Sequence, residues 1–176
     1  MSETHDDRGL WRKALVAVPT IVVVGTLIGI VSNSGVSNHW YAPLDKPGFQ
    51  PPGWAFGAVW TALYTMMGIA LAAILNEPES QPRRQALVLF VAQLAFNFAW
   101  SPVFFGGGMI DAGLLIIIAM IALLVTTIIA FWRIRPLAGA LLLPYLAWLC
   151  LAAALNHETG RLNPGADKAP LGIIGA

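Results

Sequence analysis

Residues 112–132 read AGLLIIIAMIALLVTTIIAFW, twenty-one positions without one charged side chain. Apolar and small residues follow one another with no alternation, which excludes the in-out pattern of a membrane β-strand. At 1.5 Å per residue such a helix is about 30 Å long, the thickness of a bilayer's hydrocarbon core. In that medium a helix satisfies its own backbone, so the stretch predicts a transmembrane helix. Four further charge-free windows flank it: 14–31, 47–76, 85–110 and 136–157. Each holds at least the roughly 18–20 residues a span requires. The expectation is an all-α integral membrane protein, a bundle of five transmembrane helices.

Composition agrees. Of 176 residues, 57% are hydrophobic and 11% charged, against about a quarter charged in a soluble domain. Ten Lys and Arg against nine Asp and Glu leave a net charge of +1, so no basic field exists to attract nucleic acid. Cys150 is the single cysteine, which excludes an intrachain disulfide and a cysteine-rich metal site. His5, His39 and His157 fall in polar ends or loops, and no metal site is expected. Arg8, Arg12 and Lys13 precede the first window in the manner of a signal peptide, yet its length and the following VSNSGVSN predict an uncleaved helix.

The windows divide the chain into a polar amino-terminal segment (1–13), a transmembrane domain (14–157) and a Gly/Pro-rich tail (158–176) expected to be disordered. Five spans place Arg8, Arg12, Lys13, Arg83, Arg84, Arg133 and Arg135 on one face, and Lys46, Arg161 and Lys168 on the other. Basic residues in short segments are retained in the cytoplasm, so the amino terminus is expected there if a bacterial inner membrane holds the protein. The short GGGMID turn makes spans three and four antiparallel neighbours, with Asp111 the expected helix N-cap. The connection from Ser32 to Pro52, by contrast, is long and carries Pro43, Pro47, Pro51 and Pro52 beside Trp40, Tyr41 and Phe49. Proline limits its freedom and the aromatic rings need something to pack on, so a lid is expected between helices one and two.

No Asp, Glu, Lys or Arg lies within the five windows, and the one histidine, His157, stands at the very end of the last, which disfavours an ion-coupled transporter. Aromatic and amide residues at helical spacing stand in place of charge. Phe56, Trp60, Tyr64 and Met67 share a face of span two; Gln93, Asn97 and Ser101 form a stripe on span three beside Trp100 and Phe104; Tyr145, Trp148, Ala152 and Asn156 align on span five. Interfacial belts and interhelical glue account for most such residues. Trp60 and Trp148 lie deeper than a belt, and Pro144 is expected to kink span five and open space. Asn97, at mid-span, reads either as glue or as a pocket donor. An aromatic cavity under a lid suits a large, flat, apolar ligand with a few polar edges. Gly25 and Gly29 form a GxxxG spacing, read as a candidate homodimer face.

WYAPLDKPGFQPPGWAFGAVWTALYTMMG (40–68), QLAFNFAWSPVFFG (93–106) and PYLAWLCLAAALN (144–156) together resemble, in order, the signature blocks of the tryptophan-rich sensory protein family, also called the translocator protein or peripheral benzodiazepine receptor family. The resemblance implies a five-helix bundle, commonly dimeric, whose first loop covers a pocket for porphyrins and other tetrapyrroles. It implies a receptor or sensor tied to tetrapyrrole metabolism or stress, or alternatively a porphyrin transporter or a light-dependent porphyrin-degrading enzyme. Ligand positions implied are Trp40 in the lid, Phe56, Trp60 and Tyr64 on helix two, Asn97 and Trp100 on helix three, and Trp148 and Ala152 on helix five. A protoporphyrin-like macrocycle would stack on the indoles, with Asn97 and the Tyr64 hydroxyl meeting its polar edges, and photochemistry would fall to Trp60 and Trp148. No obligatory cofactor is implied. The animal sterol motif has Tyr after the fifth-helix Asn, where this chain has His157, so sterol recognition is not carried over.

Overall fold

The computed structural model describes residues 7–174. Among these there is no strand, and five segments are long and apolar enough to cross a membrane. Helix α1 spans Asp7–Val31, α2 Gly53–Leu75, α3 Gln81–Ser101 and α4 Ile110–Ile134. The fifth span is divided into a short α5 (Pro136–Ala140) and a long α6 (Leu143–Leu162). The chain is an integral membrane protein. His5 and the rest of residues 1–6 lie outside the described residues. Residues 7–13, expected as part of a separate polar segment, already belong to α1: a helix continues through polar residues once its apolar turns are in place, and charge limits burial rather than helicity.

Prolines and glycines set the boundaries. Pro52 (φ −61°, ψ 148°) holds the chain extended and α2 begins directly after it. The Ser80 hydroxyl caps α3 by accepting from the Arg83 N–H at 3.3 Å. Residues Pro102–Gly106 extend α3 as one wide π-type turn, and Gly108, at φ +65°, adopts the left-handed conformation that reverses the chain into α4. The cap of α4 is Met109, not the expected Asp111, which stands one residue inside the helix. Its side chain is drawn to other backbone N–H groups, as described below. Pro144 does not kink a continuous helix; it sits in the first turn of α6, after a break at residues 141–142. A proline at that position needs no donor, so the break costs no extra hydrogen bond.

Small residues let the helices approach. Ala70, Ala72 and Ala73 of α2 are buried, and a Cβ placed on Gly68 would stand 2.6 Å from the Val18 Cα. Close backbone contact of this kind replaces the hydrophobic effect, which is weak between helices already in lipid. At one end of the bundle Phe90 stacks on Phe131 (5.6 Å, 15°). The same end gathers the basic residues: Lys13 Nζ donates to Asn76 Oδ1 (2.9 Å), Arg135 pairs with Glu77 (3.3 Å), and Arg83 donates to the terminal carbonyls of Ile74 and Leu75. The lid and the tail lie at the other end.

Candidate functional site

The residues that line the space between the helices start from a buried amide. Asn97 lies at mid-span on α3, where an unpaired amide in hydrocarbon is costly. It accepts from the Tyr64 hydroxyl (3.0 Å) and donates through Nδ2 to the Tyr145 hydroxyl (2.7 Å), which donates in turn to Met120 Sδ (2.8 Å). One amide thus ties α2, α3, α4 and α6 together. The structure makes Asn97 interhelical glue, and the residue also lines the cavity. The Tyr64 proton and the Asn97 amide, expected to meet a ligand's polar edges, are already engaged in hydrogen bonds within the protein. The polar stripe of α3 has three fates: Ser101 Oγ pairs with Ser34 Oγ at 2.8 Å, Asn97 forms this network, and Gln93 is fully buried without a hydrogen-bond partner.

Above the network opens a cavity of about 570 Å³, within the roughly 300–1,000 Å³ of small-molecule sites. Phe56, Trp60 and Tyr64 form its α2 wall, Asn97 and Trp100 its α3 wall, and Trp148 and Ala152 its α6 wall. Seven of the eight residues expected to bind ligand therefore face one space. The rings are set against each other: Trp60 lies 5.2 Å from Tyr64 at 33°, and Phe56 meets Trp148 edge-on at 5.6 Å. Among the described residues no charged side chain lines the cavity, and none supplies an acid/base pair or a counter-ion for an anion there. Among the described residues no group of His, Cys, Asp or Glu is arranged to hold a metal.

Trp40, the eighth, does not line the cavity. Its ring packs edge-on against Phe104 (5.4 Å), and its Nε1 donates to the Ala166 carbonyl (3.1 Å). A lid indole with an unpaired N–H finds the nearest backbone acceptor, which lies in the tail and away from the ligand space.

Helix α1 supplies a wall that the aromatic pattern did not reveal: Gly25, Thr26 and Gly29 face the cavity. A Cβ on Gly25 would fall 2.3 Å from the Tyr64 ring, whereas one on Gly29 would meet nothing within 4 Å. Gly25 thus faces inward and admits a tyrosine, while Gly29 borders open space, so the spacing read as a dimer face also has a use within the bundle. Small residues aligned with a tyrosine on the next helix were the signal that could have placed it.

A second cavity of about 300 Å³ lies under the lid, bounded by Tyr41, Gln50, Gly53, Phe104 and Thr159, and shares Ser34, Phe56, Trp100 and Ala152 with the first. The lid is ordered by its own polar residues. Asn38 Oδ1 accepts from the Trp40 and Tyr41 N–H groups (3.0 Å each), and Asn38 Nδ2 reaches the Phe105 carbonyl (3.2 Å). Tyr41 donates to Gln50 Oε1 (2.7 Å) and packs on Phe104 and Phe105. Burial pushes the Tyr41 phenol up from its ordinary value. Lys46 donates to the Tyr41 carbonyl (2.6 Å) with its ammonium 4.3 Å from the Tyr41 ring; loss of hydration lowers its pKa, against the pull of neighbouring Asp45.

The sequence pattern of the TspO/MBR family matches residues 16–162. The chain is 38% identical to the translocator protein of Sus scrofa over 148 residues, 81% of this chain and 88% of the relative. It is 39% identical to the tryptophan-rich sensory protein of Cereibacter sphaeroides over 126 residues (72% and 78%), and 41% identical to the tryptophan-rich protein TspO of Chlorobaculum tepidum over 129 residues (73% and 82%). Five apolar helices, three aromatic blocks converging on one uncharged cavity, and similarity that runs through all five spans lead to one conclusion: the chain belongs to the TspO/MBR family.

Proposed function

We propose that this membrane protein is a receptor for a tetrapyrrole of the protoporphyrin type, held in the larger cavity, and that occupancy is the signal it contributes to tetrapyrrole metabolism or stress responses. The observation carrying this reading is that the two deep indoles, Trp60 and Trp148, open onto the same uncharged space of about 570 Å³. A flat macrocycle offers both faces to aromatic walls, and its carboxylates, for which the cavity holds no partner, would point to the lid end. Titrating purified protein with protoporphyrin should quench tryptophan fluorescence saturably. Trp60→Ala and Trp148→Ala each remove about 1–3 kcal/mol of aromatic contact, roughly 5- to 150-fold in affinity. Trp11→Ala, at a 67% exposed position near the helix end, should bind as the wild type does. Unchanged affinity in folded Trp60→Ala and Trp148→Ala protein would remove the cavity as the porphyrin site. Illuminating the same complexes separates binding from breakdown: a defined product formed faster by wild type than by Trp60→Phe and Trp148→Phe at equal occupancy would make the protein an enzyme, and equal bleaching in all three leaves it a receptor.

The orientation follows from charge. The end that gathers Lys13, Arg83, Arg84, Arg133 and Arg135 should face the cytoplasm of a bacterial inner membrane, with the lid outside. Reporter fusions read this directly: a fusion in the loop at 76–84 should be active only for a cytoplasmic reporter, and periplasmic activity there, with none in the lid, would reverse the assignment.

A further inference from the structure

The carboxy-terminal segment, expected to be disordered, is held in place by hydrogen bonds from two directions. Asp111, only 3% exposed at the start of α4, accepts from the Leu171 N–H (2.8 Å), the Ile173 N–H (3.1 Å) and the Ile174 N–H (3.2 Å). Asp167 returns the contact by accepting from the Asp111 N–H (2.7 Å), and the Lys168 N–H donates to the Gly108 carbonyl (3.0 Å). Ile174 sits over Gly160, where a Cβ would come within 2.9 Å of it. These contacts fasten the segment to the rigid bundle. A second set fastens it to the lid: Asn163 exchanges hydrogen bonds with the backbone of Asp45 (2.7 and 2.9 Å), and Trp40 Nε1 reaches Ala166. Glycine and proline content predicts disorder only where nothing else orders the backbone. Here a buried carboxylate gathers several N–H donors, as charged acceptors do strongly.

We infer that residues 163–174 are a latch that holds the lid down and sets the rate of ligand exchange through the antechamber of about 300 Å³ beneath it. This rests on the reading of the larger cavity as the ligand site. The lid residues Tyr41 and Gln50 line the antechamber, which shares Phe56 and Trp100 with the larger cavity. No residue of the latch lines either cavity. It can therefore alter how often the lid lifts without altering what the ligand touches when the lid is closed. Opening the latch should accelerate entry and escape by one common factor and leave affinity nearly unchanged, as long as the closed lid remains the dominant state.

The test compares wild type with a chain lacking 164–176, with Asp111→Asn, and with Trp40→Phe, which keeps an aromatic ring in the lid and loses the indole donor to Ala166. The two point variants preserve the bundle if the truncation fails to fold. Without ligand, hydrogen exchange at the lid amides of Tyr41, Ala42 and Leu44 should rise roughly 10- to 100-fold when the Asp111 contacts are weakened or removed, and less in Trp40→Phe. With protoporphyrin, association and dissociation rates from stopped-flow fluorescence should rise together, with affinity within about 2-fold. Lid protection equal to wild type in both the truncation and Asp111→Asn would overturn the latch. Loosened lid amides with unchanged exchange rates would overturn its control of the ligand. If wild type binds no porphyrin while the lid amides loosen as expected, the ligand reading fails and the latch stands.

Discussion

Gly68→Val should leave little folded protein in detergent. At this position α1 and α2 meet backbone to backbone: an added Cβ would lie 2.6 Å from the Val18 Cα and 2.9 Å from its nitrogen. A side chain can swing aside, but a helix backbone can yield only by moving the whole helix. Overpacking costs about 1–3 kcal/mol where neighbours can adjust, and more where they cannot. Gly68→Ala should therefore lower the thermal midpoint in a circular-dichroism melt by several degrees, and valine should abolish the cooperative transition. Gly29→Ala is the control. Its Cβ meets nothing within 4 Å and projects toward the cavity, so it should melt like the wild type. A Gly68→Val protein with wild-type stability would show that α1 and α2 do not approach as described.

The second large effect is at Asn97. Asn97→Leu removes two interhelical hydrogen bonds to hydroxyls and a longer one to Met120 Sδ (3.8 Å), and orphans the Tyr64 hydroxyl, which is itself buried. Two bonds at about 1 kcal/mol each, together with a stranded hydroxyl, give a loss of roughly 2–4 kcal/mol. Because Tyr145 belongs to the same network, the double change Asn97→Leu with Tyr145→Phe should cost less than the two single changes added. Unfolding in mixed micelles measures all three. Additive losses, or no loss at Asn97→Leu, would mean that the amide does not tie the four helices together. Since the hydrogens of Asn97 are committed to the protein, its loss should reach porphyrin affinity through stability, whereas the loss of Trp148 should reach it directly.

Hydrocarbon thickness and the cost of an unpaired peptide group act on any sequence alike, so windows such as 112–132 were sufficient to determine five helices, their antiparallel order and the end where Arg83, Arg84, Arg133 and Arg135 gather. Helical period was likewise sufficient to align Phe56, Trp60 and Tyr64, and to place Trp148 with Ala152, because it depends only on the chain's own geometry. Partners in space were not legible in that way. Whether Asn97 would offer its amide to a ligand or to Tyr64 and Tyr145 depended on which helix lay opposite. The same holds for Gly25, whose spacing suits a second chain as well as it suits a tyrosine of α2. Trp40 and Asp111 show it most clearly: each satisfied its polar atom on a carboxy-terminal segment more than fifty residues away, which local composition assigned to disorder. Local physics determined the helices and their apolar and aromatic faces; only the assembled bundle decided which buried polar group met which, because that choice is made by distance in three dimensions and not along the chain.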